Sequence, residues 1–345
     1  MKKIIKKLIP VCMVFAFTAN VYADFGGAAF LKKGVGARAL GMGGAFTSIS
    51  NDVSAAYWNP AGLAQIQDYS VSVMGSTGAS DEWPGLEDMT PSQNFVAVSV
   101  PMQKFTDVLG GSVFALGLIN SSMKNITFSD DQGNEGKSFS DTQNAVYLSW
   151  GIPVWESSTN LYVGASVKYI MEKMDGIDGG TASGYDIDAG VIYNVFETLN
   201  FGMFLGKGAS MTWDGGESDA AALTSKFGVS NNFRLSDKFK LLGSVDIVQV
   251  QKEPLGANIG LEFGCVNLFD SDSFGLNGLF LRGGVQGYAL ENRYGVKEDI
   301  NKNVTYTAGF GLEMTVLGKY FQLDYAMGMG NLFDQQSKIS LNFYF

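Results

Sequence analysis

Apolar and polar positions alternate along most of this chain, in short segments bounded by Gly, Asp, Asn or Ser. In residues 184–193, Tyr185, Ile187, Ala189, Val191 and Tyr193 fall on one side, and Asp186, Asp188 and Gly190 on the other. The same period sets Phe321, Leu323, Tyr325, Met327 and Met329 against Gln322, Asp324, Ala326 and Gly328. At the end it sets Ile339, Leu341, Phe343 and Phe345 against Ser340, Asn342 and Tyr344. Successive side chains of a strand point to opposite faces, so period two means one apolar wall and one polar wall. The pattern predicts fourteen strands, near 68–76, 92–102, 109–120, 142–152, 159–172, 182–194, 198–208, 222–233, 237–249, 256–266, 277–289, 302–314, 319–330 and 337–345.

A water-soluble sandwich alternates too, so the period alone leaves two architectures open. Three features select a membrane barrel. Bulky aromatics stand at the ends of the apolar faces (Trp150, Trp155, Tyr169, Tyr193, Phe196, Phe201, Tyr320), as in interfacial girdles. The polar faces carry Gly, Ser, Thr and isolated charges, namely Lys168, Asp186, Asp188, Lys226, Asp246, Glu262, Arg282, Glu313 and Asp324. Such faces suit a wet or plugged lumen better than the dry core of a soluble protein. Connections also alternate in length. Short ones lie near 154–158, 195–198, 234–237 and 316–319, and long ones near 77–91, 121–141, 173–181, 209–221 and 291–301. The connections 267–276 and 330–336 depart from this rule. An even strand count puts both barrel ends in the periplasm. Ile339–Phe345, closing on Tyr344-Phe345, fits the C-terminal signal that outer-membrane assembly machinery reads.

The beginning of the chain reads as an address. Met1 to Lys7 is basic, Leu8 to Val21 is an uncharged apolar run, and Val21-Tyr22-Ala23 offers a signal-peptidase site, so cleavage is expected after Ala23. The run is shorter than the roughly 20 residues of a spanning helix. Removing it takes away four Lys and no acid, leaving 20 basic against 34 acidic residues and a net charge of −14. That acidity argues against a nucleic-acid partner, which needs a basic footprint. Only Cys265 remains, so no internal disulfide forms. The 345 residues contain 44 Gly and no His. The missing imidazole excludes Ser-His-Asp and Cys-His hydrolysis and His-ligated zinc.

Residues 24–67 do not alternate. Gly34-x-Gly36-x-x-Ala39 superficially fits a dinucleotide fingerprint but lacks the strand and the βαβ unit that motif requires. Its glycines suit close backbone packing in a confined space. Asn51 or Asp52 is placed to cap one short helical turn, which Asn59-Pro60 ends. The run Gly36-Ala37-Arg38-Ala39-Leu40-Gly41-Met42-Gly43-Gly44-Ala45, followed by Ser54-Ala55-Ala56-Tyr57-Trp58-Asn59-Pro60-Ala61-Gly62-Leu63, resembles the N-terminal region of the PorV/PorQ family. That family lies within the wider group of FadL-type outer-membrane proteins.

The resemblance implies an all-β transmembrane antiparallel outer-membrane β-barrel of about 14 strands with an N-terminal Gly-rich hatch, or plug. Its parts would be a signal peptide (1–23), the hatch (24–67) and the barrel (68–345). Gly36, Arg38, Gly41, Gly43, Gly44, Trp58, Asn59, Pro60 and Ala61 would then belong to the hatch. Arg38 is the sole charge in its stretch, so inside a barrel it needs an acidic partner. Asp186, Asp188, Asp246, Glu262, Glu313 and Asp324 are the candidates.

Catalysis finds little support. Asp186 and Asp188 stand two residues apart on one face, about 7 Å by strand rise. A wall with repeated single acids produces such pairs by chance. Asp130-x-Gln132-x-Asn134 lacks the terminal Glu of a calcium loop. The acidic connections (Asp81, Glu82, Glu87, Asp88; Asp214, Glu217, Asp219) contain no Lys or Arg and read as solvated rims, the alternative being divalent cations that bridge them to anionic lipid headgroups; no dedicated metal or cofactor site is expected. The leading function is passive transport of hydrophobic small molecules across the outer membrane. The alternative, implied by the PorV branch, is a non-enzymatic part in type IX protein secretion, with secreted cargo as partner. A porin or adhesin without a dedicated ligand is a third. Outer-membrane lipid, and assembly machinery acting through Phe345, are the other expected partners.

Overall fold

The computed structural model describes residues 28–78, 92–105, 110–129, 135–155, 159–196, 198–251, 253–269, 274–290, 304–330 and 336–345. The signal segment, the acidic connection around Asp81–Asp88 and the Asp130–Asn134 motif lie outside the described residues.

Fourteen strands form one antiparallel ring. In chain order they are β1 (Ser70–Gly78), β2 (Ser92–Pro101), β3 (Val113–Ser129), β4 (Glu135–Trp155), β5 (Thr159–Asp175), β6 (Thr181–Val195) and β7 (Leu199–Gly206), then β10 (Thr224–Arg234), β11 (Phe239–Val250), β12 (Gly256–Phe269), β13 (Phe274–Ala289), β14 (Thr305–Val316), β15 (Lys319–Met329) and β16 (Gln336–Tyr344). Each pairs with its neighbours, and β1 closes on β16 with Val71 opposite Phe343 and Val73 opposite Leu341. Closure leaves no unpaired edge, which lipid would not tolerate.

The predicted alternation becomes the two walls. Between β5 and β6, Lys168 faces Asp186 and Ser166 faces Asp188 on the inside. Outside, Val167 faces Ile187 and Val163 faces Val191. Val167, Ile187, Leu261, Leu281 and Phe310 are exposed on the outer wall, whereas Asp188, Asp246, Glu262 and Asp324 are buried.

In its strands the structure departs from the sequence reading in three places. The stretch 121–141, expected as a long connection, is mostly strand, because β3 runs on to Ser129 and β4 resumes at Glu135. β3, β4 and β5 reach 17, 21 and 17 residues, against 9 to 12 for β14–β16. Their extensions are mostly polar (Ser121, Ser122, Lys124, Ser138, Ser140 and Asp141), and Met123, Ile126 and Phe139 are too few to mark an apolar period. Second, part of the expected connection 209–221 forms an extra hairpin, β8 (Ser210–Trp213) and β9 (Ser218–Ala220). It pairs with the upper end of β6, and β7 is therefore followed in the ring by β10. Third, Tyr320 belongs to the inner wall. It shares the face of buried Asp324, diagonal to Glu313, and its ring meets that of Tyr344 at 5.3 Å.

The residues before β1 occupy the interior of the ring. They form short helical turns at Ala29–Lys33, Ala37–Gly41, Ala55–Trp58 and Pro60–Gln65. Val35, Ala37, Met42, Phe46, Val53, Ala55 and Leu63 are buried there, in one core with the inward Met74, Phe95, Ile119, Ala145, Tyr147, Ile170 and Met211. A segment of mostly one-turn helices cannot hold its shape alone. Its order comes from the wall around it.

Candidate functional site

Wall glycines set where the N-terminal segment rests. Gly151, Gly164 and Gly190 are neighbours across β4, β5 and β6, Gly202 faces Gly228, and Gly260 faces Gly284. A Cβ on Gly164 would strike the Pro60 carbonyl, one on Gly202 that of Thr47, and one on Gly260 that of Met42. From the segment's side, Gly43 has φ 62°, and a Cβ there would lie 2.7 Å from the Val285 nitrogen and 2.8 Å from the Ile259 oxygen. Only glycine allows both that backbone conformation and that approach.

Hydrogen bonds fix the remaining freedom. The Asn59 amide reaches the carbonyls of Thr47 (2.8 Å), Val191 and Met203 (both 3.2 Å), and its oxygen accepts from the Ala61 amide at 3.2 Å. Asn59 thus ends one helical turn, caps the next and ties both to β6 and β7. Neither Asn51 nor Asp52 caps the Ala55–Trp58 turn as expected: Ser54 is its N-cap residue and makes no side-chain cap bond, because Asp52 instead accepts from the Ser54 amide at 2.8 Å and Asn51 accepts from Arg38. Trp58 donates to the Val35 carbonyl at 2.8 Å, and Thr307 of β14 donates to the Gly41 carbonyl at 3.1 Å. Asp246 of β11 accepts both the Phe46 and Thr47 amides, at 3.0 and 2.9 Å. Lys338 of β16 donates to the Lys33 carbonyl and to Gln93.

Of the acids proposed for Arg38, the structure supplies Glu262. The guanidinium meets it through Nε at 3.0 Å and Nη2 at 3.2 Å, while Nη1 donates to Asn51 at 2.8 Å. Glu262 also accepts from Arg282 Nε at 2.7 Å, and Arg282 Nη1 reaches Asp324 at 2.7 Å. The result is a four-member chain of alternating charge inside the barrel. Burial works against the charge on Arg38, but Glu262 beside it outweighs that and holds its pKa above the ordinary arginine value. Glu313 stands apart, half-buried near the short-connection end.

The other predicted charges meet elsewhere. Lys168 pairs with Asp186 and, at 2.9 Å, with Asp188. The two acids are thus counter-ions of one lysine, an arrangement that argues against a free catalytic pair. Lys226 rests its ammonium on three rings, 4.8 Å from the centre of Trp58, 5.2 Å from Phe204 and 5.8 Å from Tyr57. Burial, together with Asp188, pushes the Tyr57 hydroxyl above its usual pKa; it stays a donor, to the Leu31 carbonyl.

Above these groups lies a cavity of about 420 Å³ between the N-terminal segment and the wall. Its apolar lining comes from Leu31, Tyr57, Trp58, Phe204, Val248 and Val250, and its floor from Lys168, Asp188 and Lys226. Residues around 206–208, 221–224, 248–256 and 286–289 place it at the long-connection end. Lys32 and Glu253 pair across its mouth at 2.5 Å. Tyr147 and Phe204 were missed as site residues in the sequence. The available signal was a large aromatic on an otherwise small, polar face: Phe204 stands between Gly202 and Gly206, and Tyr147 between Ala145 and Ser149. No cluster of metal-ligating residues occurs among the described residues.

No family model matches the chain, and no curated protein matches it. Solved structures do. It superposes on the Pseudomonas putida toluene transporter TodX with a TM-score of 0.55 at 12% identity, covering 90% of this chain and 97% of that one. For the Ralstonia pickettii toluene transporter TbuX the TM-score is 0.51 at 12% identity, covering 91% and 98%. For the CymD monoaromatic hydrocarbon channel it is 0.51 at 12% identity, covering 90% and 98%. At that identity the likeness is one of fold. The chain has the architecture of these outer-membrane β-barrels.

Proposed function

We propose that this protein is a non-enzymatic FadL-type barrel of a bacterial outer membrane that takes up hydrophobic small molecules. Residues 1–23 would be removed, 24–67 would form the hatch and 68–345 the barrel. The carrying observation is the cavity at the long-connection end, whose size falls within the usual ligand-pocket range of about 300–1,000 Å³. Its walls are aromatic and aliphatic, while its charges are neutralised in pairs or held against ring faces. An apolar guest therefore gains burial without stripping water from an isolated charge. The test is calorimetric titration of the detergent-solubilised protein with naphthalene, for the wild type and for Ala222→Trp, which fills the cavity. Saturable binding lost in the variant supports the reading. Absence of binding, or equal binding by both proteins, refutes it.

A second reading is favoured by a different observation. Met42, Phe46, Val53 and Leu63 close the lumen beneath the cavity, and the segment is bonded to both sides of the wall. A barrel so tightly filled suits an anchoring part in protein secretion, the role implied by the resemblance of residues 36–45 and 54–63 to the PorV/PorQ family. Recovery of large secretion proteins with this barrel from mild detergent extracts supports that role. Recovery of the barrel alone counts against it.

A further inference from the structure

The two most exposed large apolar side chains among the described residues are Leu317 and Phe196, at 79% and 76%. Both sit in short connections and both have left-handed backbone, φ 51° and 56°. Leu317-Gly318 is the two-residue loop between the paired ends Val316 and Lys319 of β14 and β15. With φ positive at both loop residues, this geometry is met at least cost by Asn-Gly. Bulky side chains are disfavoured in that backbone region, and large apolar ones are also disfavoured in water. A tip facing solvent would therefore be better served by Asn on both grounds. Keeping Leu and Phe makes physical sense where the tips meet an apolar medium.

We propose that the short-connection rim of the barrel is seated in the lipid interface, with Phe196 and Leu317 as its depth anchors. The dimensions agree. On β14 the outward side chains run from Tyr306 through Phe310, Leu312 and Met314 to Val316. At about 3.4 Å per residue and a tilt of about 40°, those ten steps cover about 26 Å along the membrane normal, close to the ~25 Å apolar band of such barrels. Leu317 follows at the edge of the band, continuous with the lipid-facing wall. The connections β6–β7 and β14–β15 are six strands apart in the ring of fourteen, almost diametrically opposite. Two anchors so placed fix tilt as well as depth. Phe105, Trp155, Leu235 and Phe269 add exposed apolar side chains around the same end.

The inference rests on the barrel spanning a membrane, and the experiment separates the two claims. In a Cys265→Ser background lacking the first 23 residues, single cysteines replace Leu317, Phe196, mid-wall Leu281 and Asp214, which is exposed in the β8–β9 turn at the opposite end. Each carries a nitroxide, and the protein is reconstituted in phosphatidylcholine vesicles. Collision with oxygen is compared with collision with a water-soluble nickel chelate. Labels at positions 317, 196 and 281 should favour oxygen, and the label at 214 should favour nickel. Labels at 317 and 196 that behave like the one at 214 overturn the anchor proposal. A nickel-favouring label at 281 overturns the membrane placement itself. Labels mobile in vesicles but immobilised in native membrane fragments would assign the rim to a protein partner, again overturning it. As a second arm, Leu317→Asn should lower the melting temperature in vesicles despite relaxing the loop. A rise would contradict the proposal.

Discussion

Replacing Gly151 with Ala tests whether the wall and the N-terminal segment are built against each other. The added Cβ would stand 2.7 Å from the Pro60 oxygen, 2.9 Å from the Ala64 nitrogen and 3.0 Å from the Leu63 Cβ. Ordinary carbon contacts lie at about 3.5–4.0 Å, so the Pro60–Gln65 turn must retreat by roughly 0.5–1 Å. Two of the three atoms are backbone, and no rotamer change relieves them. Overpacking of this kind costs about 1–3 kcal/mol. Applied to docking of the segment, that raises its undocked population roughly 5- to 140-fold. Trypsin reads the population, since Arg38 is largely buried against Glu262 when the segment is docked. Cleavage at Arg38 should accelerate by that factor while the barrel itself stays folded, as judged by its heat-modifiable migration in detergent gels. The control is Gly283→Ala on the outer wall, where the nearest atom is 3.9 Å from the new Cβ. Equal protection of Arg38 in both variants would refute the claim that wall glycines position the segment.

Other changes probe the remaining contacts. Glu262→Ala leaves Arg38 and Arg282 without their shared carboxylate, so thermal unfolding should register a loss of about 3–5 kcal/mol. Arg234→Ala, which breaks only the exposed pair with Asp237, should leave the melting temperature unchanged. Asn59→Ala strips a partner from the buried Thr47 carbonyl and from the partly buried Val191 and Met203 carbonyls, and should cost about 2–4 kcal/mol in the same assay. Phe345 is exposed and lies at the chain end, where its amide bonds the Tyr69 carbonyl and its ring stacks on Tyr69 at 6.1 Å. If assembly machinery reads that end, deleting Phe345 should lower the outer-membrane yield in cells and leave refolding into detergent intact.

The barrel was legible because each membrane-crossing strand meets lipid on one side and a filled lumen on the other. That asymmetry writes period two into segments such as 184–193 and 339–345. It vanishes where β3 and β4 rise past the lipid, because Ser121, Ser122, Ser138 and Ser140 need no apolar face there. Tyr320 misled for a related reason. At a strand end an aromatic ring suits either wall, and its companion Tyr344 becomes visible only through the register of β15 with β16. The Gly-rich run and Asn59-Pro60 marked the N-terminal segment, and the lone charge of Arg38 signalled a buried acid. Which acid it meets depends on strand order and shear, so Glu262 was one candidate among six. The cavity was least legible. It arises where β7 breaks off and β8–β9 turn aside, bringing Phe204, Tyr57 and Val248 together from distant parts of the chain.

Flux through the protein bears most directly on the account. Vesicles holding the reconstituted barrel, the Ala222→Trp variant or no protein would be exposed to naphthalene across a barrier of outer-membrane lipopolysaccharide. Arrival in the lumen would be followed by fluorescence. The account predicts entry that depends on the wild-type protein and falls to the protein-free rate when the cavity is filled. Entry at one rate in all three preparations would contradict it.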